Sequence, residues 1–213
     1  MVSIRAAALA GVVGAVVFAV VAVFLTLTQV EFMLRLGWKP LGSSDVPWPS
    51  SLALGPLGWL QALSFAFFGL TLILFALGLH RGVASSGRLS WAGPALLVVA
   101  GVALVLAAFK TDPHLMQGPK TWHGRIHLLA FFLLVLSFLL SLFFWWQRLG
   151  MDPRWRGYAH YTLIAALLYI LLLLASAWQW GFYLFLANVL AWMVLMSLHL
   201  RRTVEDPSTL RVR

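Results

Sequence analysis

Formal charges are sparse along this chain and fall between long apolar runs. The first uncharged run, Ala6–Val30, has 25 residues and predicts a helical span over about 6–29. It exceeds the ~7–15 residues of a signal-peptide core, so it reads as a retained span. After a loop rich in Pro, Gly and Ser, a second run covers 57–79 and is stopped by His80 and Arg81. A third lies between Arg88 and Lys110, 21 uncharged residues, and predicts a span over 89–110. A fourth covers 121–146 and is stopped by Gln147 and Arg148.

The last run, Gly157–Leu200, is 44 residues long. At ~1.5 Å per residue it would make a single helix about twice the ~30 Å hydrocarbon core, so it should fold back on itself. The expected turn is Trp178-Gln179-Trp180-Gly181, where a glycine interrupts the helix and two indoles suit an interface. Spans five and six then cover 158–177 and 180–200. None of the runs alternates as strands of a membrane barrel do.

The pattern predicts an all-α, polytopic membrane bundle of six transmembrane helices, a single domain over 1–213 with a short basic tail at 201–213. Composition agrees. The chain is 62% hydrophobic and 10% charged, whereas soluble domains carry ~45–50% and ~25%. The net charge of +9 acquires a meaning once it is placed. Ten basic residues, Arg5, Arg81, Arg88, Arg148, Arg154, Arg156, Arg201, Arg202, Arg211 and Arg213, fall on the side of the termini. Five, Arg35, Lys39, Lys110, Lys120 and Arg125, fall on the other. By the positive-inside rule both termini are expected to be cytoplasmic. The charge is thereby explained as topology, with membrane lipids as partners and no nucleic acid. There are no cysteines, which excludes disulfides, thiolate metal sites and thiol nucleophiles.

Polar residues are distributed unevenly by depth. The inner halves of the first two spans are almost wholly apolar. The outer ends carry Thr26, Thr28, Gln29 and Glu31, then Gln61 and Ser64, then Lys110-Thr111-Asp112, then His123, Arg125 and His127, with Asn188 in the last span. Polar groups in a span need partners and point to function, and here they favour a pocket opening outward. The loop 30–56, with Trp38, Pro40, Pro47, Trp48 and Pro49, is expected to rest on the membrane surface as a cap.

The densest chemistry lies between spans three and four. Asp112 precedes Pro113 and should end span three in an extended conformation. Thr121 should cap span four. His123 and His127, four residues apart, share one helix face and form a candidate zinc pair. Asp112 is then a third ligand or a base, with Glu31 a general acid/base. Gln61, Ser64, Arg125 and Asn188 are the candidate ligand-binding groups. The plainer alternative has His123 at lipid headgroups and His127 hydrogen-bonded to Asp112, Gln61 or Glu31. A b-type haem needs two axial histidines from facing helices; His160 and His199 lie on adjacent spans near the inner surface, with His80, where histidines more often anchor helix ends. In the first span Ala7, Gly11, Ala15 and Ala19 form a small-residue face for bundle packing or a homo-oligomer or membrane-complex partner.

The pattern Phe109…Asp112 followed by Thr121-x-His123-Gly124-x-Ile126-His127 resembles the uncharacterised prokaryotic membrane family known as domain of unknown function 998. Glu31 at the end of span one, the Pro-containing loop and Gly69…Leu77-Gly78-Leu79 resemble it as well. The resemblance covers about 6–200. It implies a six-helix integral membrane protein with an outward Asp/His site, in a prokaryotic plasma membrane, and no established activity. More distantly, an Asp with His-x-x-x-His in a helical bundle resembles ceramidase-type membrane hydrolases.

Together these readings predict a multi-pass membrane protein with an outward Asp/His/Glu pocket for a lipid or small ligand. The alternatives are a zinc-dependent hydrolase acting at the outer leaflet, with Asp112 and Glu31 catalytic and His123 and His127 on the metal, and a haem-binding or structural subunit of a membrane complex.

Overall fold

The computed structural model describes residues 3–84, 88–114 and 117–205. Arg211, Arg213 and the greater part of the expected basic tail lie outside them. Among the described residues the chain is helical, with an isolated bridge between Ser43 and Trp178 and no strand. The helices are α1 (Ile4–Thr28), α2 (Val30–Arg35), α3 (Gly58–Gly82), α4 (Ala92–Leu106), α5 (Trp122–Met151), α6 (Arg156–Leu174) and α7 (Gln179–Glu205). Five of them, α1, α3, α5, α6 and α7, are long and apolar enough to cross a membrane, and α4 is a shorter apolar helix. The outer surface suits lipid: Leu129 is 68% and Leu174 76% exposed. This is an integral membrane protein.

Six helices form a ring in chain order. Each packs on its neighbour, α1 on α3, α3 on α4, α4 on α5, α5 on α6 and α6 on α7, and α7 closes on α1. The centre is filled by Phe18, Phe68, Phe75, Phe138 and Trp192, all buried. In lipid the helices gain little from hydrophobic transfer, and close packing holds them together. A Cβ on Gly11 would overlap Ser197 of α7, one on Gly14 would overlap Thr71 of α3, and Gly78 faces Ala7. Of the small-residue face of the first span, expected for bundle or partner, Ala7, Gly11 and Ala15 are buried within the chain. Interhelical hydrogen bonds add to this packing. Ser141 donates to Gly93 O at 3.0 Å, Tyr169 to Val135 O at 3.1 Å, and Trp192 Nε1 to Thr162 Oγ1 at 3.1 Å.

Three expected boundaries shift, each for a physical reason. Span three, expected over 89–110, is the 15-residue helix α4, about 22 Å at ~1.5 Å per residue. It unwinds beyond Leu106 through Ala108 and Phe109, whose N–H groups donate to Val105 and Leu106. The following carbonyls, of Phe109 and Lys110, are taken by histidines of α5. Span four continues past Arg148 to Met151, because Arg148 turns inward instead of ending the helix. The break in the last run falls at the 3-10 turn Ala175–Ala177 and at Trp178, the first residue of the expected tetrapeptide, and α7 already begins at Gln179. Gly181 lies in the first turn of α7, and its lack of a Cβ admits the carbonyl of Ala175.

The loop 30–56 is more than a surface cover. It buries Met33, Trp38, Val46 and Leu52 with Leu25 of α1 in a second apolar cluster at one end of the ring. Gln29, itself buried, fastens it: Nε2 donates to Leu52 O at 3.3 Å, and Oε1 accepts from Leu57 N–H at 2.9 Å. Trp48 Nε1 donates to Thr26 Oγ1 at 2.8 Å, and Gln179 N–H to Gly42 O at 3.0 Å. The ring is therefore plugged at this end by its own loop.

Candidate functional site

Under the cap, the Asp112 and Thr121 side chains fix the start of α5. Thr121 is the N-cap, as expected, and its hydroxyl accepts from Gly124 N–H at 3.0 Å. The same hydroxyl donates to Asp112 Oδ1 at 2.9 Å. Asp112 Oδ2 accepts the backbone N–H groups of Lys120 at 2.8 Å and Thr121 at 3.1 Å. Burial pushes the Asp112 carboxyl up. The N–H and hydroxyl of Thr121 and the N–H of Lys120 outweigh it and hold the carboxyl below its ordinary value. A Cβ on Gly124 would overlap Oδ2 of Asp112, so glycine is required there by close approach. The Asp…Thr-x-His-Gly pattern is in this respect a helix-start lock.

One turn deeper, His127 is buried. Its Nδ1 lies 2.7 Å from the carbonyl of Phe109 and its Nε2 3.0 Å from Oγ of Ser50. A carbonyl only accepts, so Nδ1 carries the proton. In the neutral ring Nε2 is then the acceptor and the Ser50 hydroxyl donates to it. Phe65 of α3 packs its ring against the imidazole at 6.0 Å between centroids. Ser50 opens a 3-10 turn, Ser50–Leu54, in the capping loop.

Two cavities meet at this pair. The larger, of about 460 Å³, is a vestibule between the cap, residues 111–114 and 117–119, and the starts of α5 and α7. Its polar wall includes Ser44, Thr111, Asp112, His114, Ser176 and Gln179, and its apolar wall Trp48, Leu128, Phe131, Phe132 and Phe182. His114 stands 3.4 Å from Asp45 across the loops at its edge. The smaller, of about 80 Å³, lies on the ring axis among Phe18, Phe65, Phe68, Phe138, Phe185 and Leu186, roofed by Pro49 and Ser50. Ser50, His127, Phe131 and Phe182 line both.

Of the residues singled out from sequence, Asp112 and His127 share this site. The others stand apart. Glu31 is exposed on α2 and lines neither cavity. His123 turns Nδ1 to Lys110 O at 2.8 Å. Arg125 is exposed. Asn188 donates to Ala165 O at 3.0 Å and joins α7 to α6. Ser64 donates to Gln61 O, and the fully buried Gln61 side chain has no partner. Among the described residues no group of three His, Cys, Asp or Glu gathers as a metal site would require. The residues that sequence reasoning missed are Ser50 and Gln179. The only linear hint was the Ser- and Pro-rich composition of a loop read as a surface cap.

At the opposite end, Arg148 is buried and its guanidinium donates to four carbonyls, His80, Val83, Ala84 and Ser90, at 2.7–3.1 Å. Its Nη1 also meets His80 Nδ1 at 2.7 Å. Asp152 binds Arg154 at 2.7 Å and accepts Ala84 N–H. His199 stacks on Tyr158 and meets Arg154 O, and His160 is exposed. These groups tie loop ends together.

A family model described as "Protein of unknown function (DUF998)" matches residues 49–201. That span runs from the capping loop into α7 and includes Ser50, Asp112 and His127. No curated protein and no solved structure matches the chain.

Proposed function

The chain belongs to this family of unknown function, and we propose that it is a six-span membrane protein that holds a small amphipathic ligand at its capped end. In this reading α4, extended by the 3-10 turn Arg88–Trp91, is the sixth crossing. The capped end faces outward and both termini lie inside, which the ten-to-five division of basic residues supports. A plasma membrane of a prokaryote fits the family resemblance.

One observation carries the ligand reading: a vestibule with a polar wall and an almost wholly apolar cavity on the ring axis share Ser50, His127, Phe131 and Phe182 in their linings. A molecule occupying both has a polar part beside Asp112, His114 and Gln179 and a short apolar part among the phenylalanines. Binding sites are commonly apolar clefts with few polar groups that fix orientation. The axial cavity of about 80 Å³ is the volume of about two to three waters, so the apolar part is short.

The test is binding of a fluorescent phosphatidylcholine with a hexanoyl chain to the purified chain in detergent. Ala107 lines the axial cavity, and Ala107→Leu adds three carbons to its wall. Each methylene displaced from the cavity should weaken binding about fourfold, at ~0.8 kcal/mol. Equal affinity in the wild type, Ala107→Leu and Gln179→Leu would sink the reading.

A further inference from the structure

We propose that Ser50 and His127 form a nucleophile–base pair that cleaves acyl esters at the junction of the two cavities. The proposal rests on the amphiphile reading and adds a reaction to it. Three features of the geometry converge. The Ser50 hydroxyl donates to Nε2 of a buried imidazole at 3.0 Å. The other ring nitrogen is held by the Phe109 carbonyl at 2.7 Å, which sets the tautomer that leaves Nε2 free to take a proton. A nucleophile, a base and a group that orients the base are the parts of a serine acyl-transfer site. The third feature is position. In an acyl ester the ester link lies between head and chain, and this pair lies between the polar vestibule and the apolar cavity.

The steps balance with water as the only co-reactant. Ser50 passes its proton to His127 Nε2 as Oγ bonds to the ester carbonyl carbon. The tetrahedral species collapses, the carbon–oxygen bond to the alcohol breaks, and the departing oxygen takes the proton from Nε2. Water entering from the vestibule then gives a proton to Nε2 and bonds to the acyl carbon. The bond to Oγ breaks, and Ser50 recovers its proton. The products are a carboxylic acid and an alcohol. Gln179 supplies a side-chain amide in the vestibule wall, where its Nε2 donates to Val46 O at 3.4 Å. The small axial cavity selects a short acyl group.

The experiment treats the full chain in detergent with an alkyl fluorophosphonate and locates the adduct by peptide mass spectrometry. The expected result is one adduct, on Ser50, absent from Ser50→Ala. His127→Asn removes the base while its carboxamide can still donate to Phe109 O, and labelling should slow by about 10²-fold or more. A second variant protects the test against misfolding. The chain contains no cysteine, so Ser50→Cys carries a unique thiol. It should react with iodoacetamide faster than Ser44→Cys in the same vestibule, and adding His127→Asn should abolish that difference. A folded wild type with no adduct on Ser50, or an adduct formed equally fast in His127→Asn, overturns the proposal. If the hexanoyl phosphatidylcholine still binds in that case, the pocket reading stands and the reaction alone fails. If neither is seen, both fail.

Discussion

Gly124 leaves open the position its Cβ would occupy, and Oδ2 of Asp112 fills it. The carboxylate reaches the first turn of α5 only because that side chain is absent. From there it binds the N–H groups of Lys120 and Thr121. The relationship explains why an Asp before the loop and a Gly after the cap occur together, and it places His127 one turn further in.

Gly124→Ala should therefore destabilise the protein by about 1–3 kcal/mol, the usual cost of forcing extra carbon into a packed position. In an Asp112→Ala background the same change should cost much less, since the overlapping atom is gone. Thermal melting of the four proteins in detergent gives the coupling directly. Simple additivity would contradict the close approach.

Acid should weaken this lock in a stated direction. The folded state holds the Asp112 carboxyl below its ordinary value, mainly through the Thr121 and Lys120 groups acting against burial. Its contribution is complete above the unfolded-state value and is lost as pH falls through the folded-state value. The melting temperature of the wild type should fall more steeply than that of Asp112→Asn from about pH 5 downward. Parallel curves would show that the carboxylate does not stabilise the fold.

The other end depends on Arg148. Its guanidinium serves the carbonyls of His80, Val83, Ala84 and Ser90 together. Lysine has one nitrogen and no planar fork, so Arg148→Lys should leave carbonyls unserved at about 1–3 kcal/mol for each buried one. The expected result is a clear loss of melting temperature with unchanged binding of the hexanoyl lipid at the capped end. A neutral Arg148→Lys would refute the assigned role.

Gln29 should matter to the site without touching it. Gln29→Leu removes partners from Leu52 O and Leu57 N–H, both at the base of the capping loop. The loss is expected at about 1–3 kcal/mol per orphaned group, and it should loosen the loop that carries Ser50. Fluorophosphonate labelling of Ser50 should then slow at temperatures well below melting. Undiminished labelling in a destabilised Gln29→Leu protein would show that the loop keeps its position by other contacts.

Much of the architecture is legible in the chain because it depends on local quantities. Run length and charge spacing locate the helices within a few residues, since a helix must satisfy its own backbone in lipid. Thr121 reads correctly as a cap because capping is a contact over three residues. The helix-to-helix turn falls at Trp178, where the expected tetrapeptide starts, but Gly181 does not interrupt the helix. Its real constraint, the Ala175 carbonyl, is visible only in three dimensions.

By itself the sequence determined the class, the apolar runs, the family and the polarised end that carries Asp112 and His127. Tertiary structure decided which polar groups meet there. Glu31 goes to the exposed face of α2, His123 to a carbonyl and Asn188 to a neighbouring helix. Ser50 arrives from a loop 77 residues before His127. The physical reason is that helix formation is written in periodicity and length. A hydrogen bond between a capping loop and a distant helix depends instead on how the loop fills the end of the ring, which no local pattern encodes.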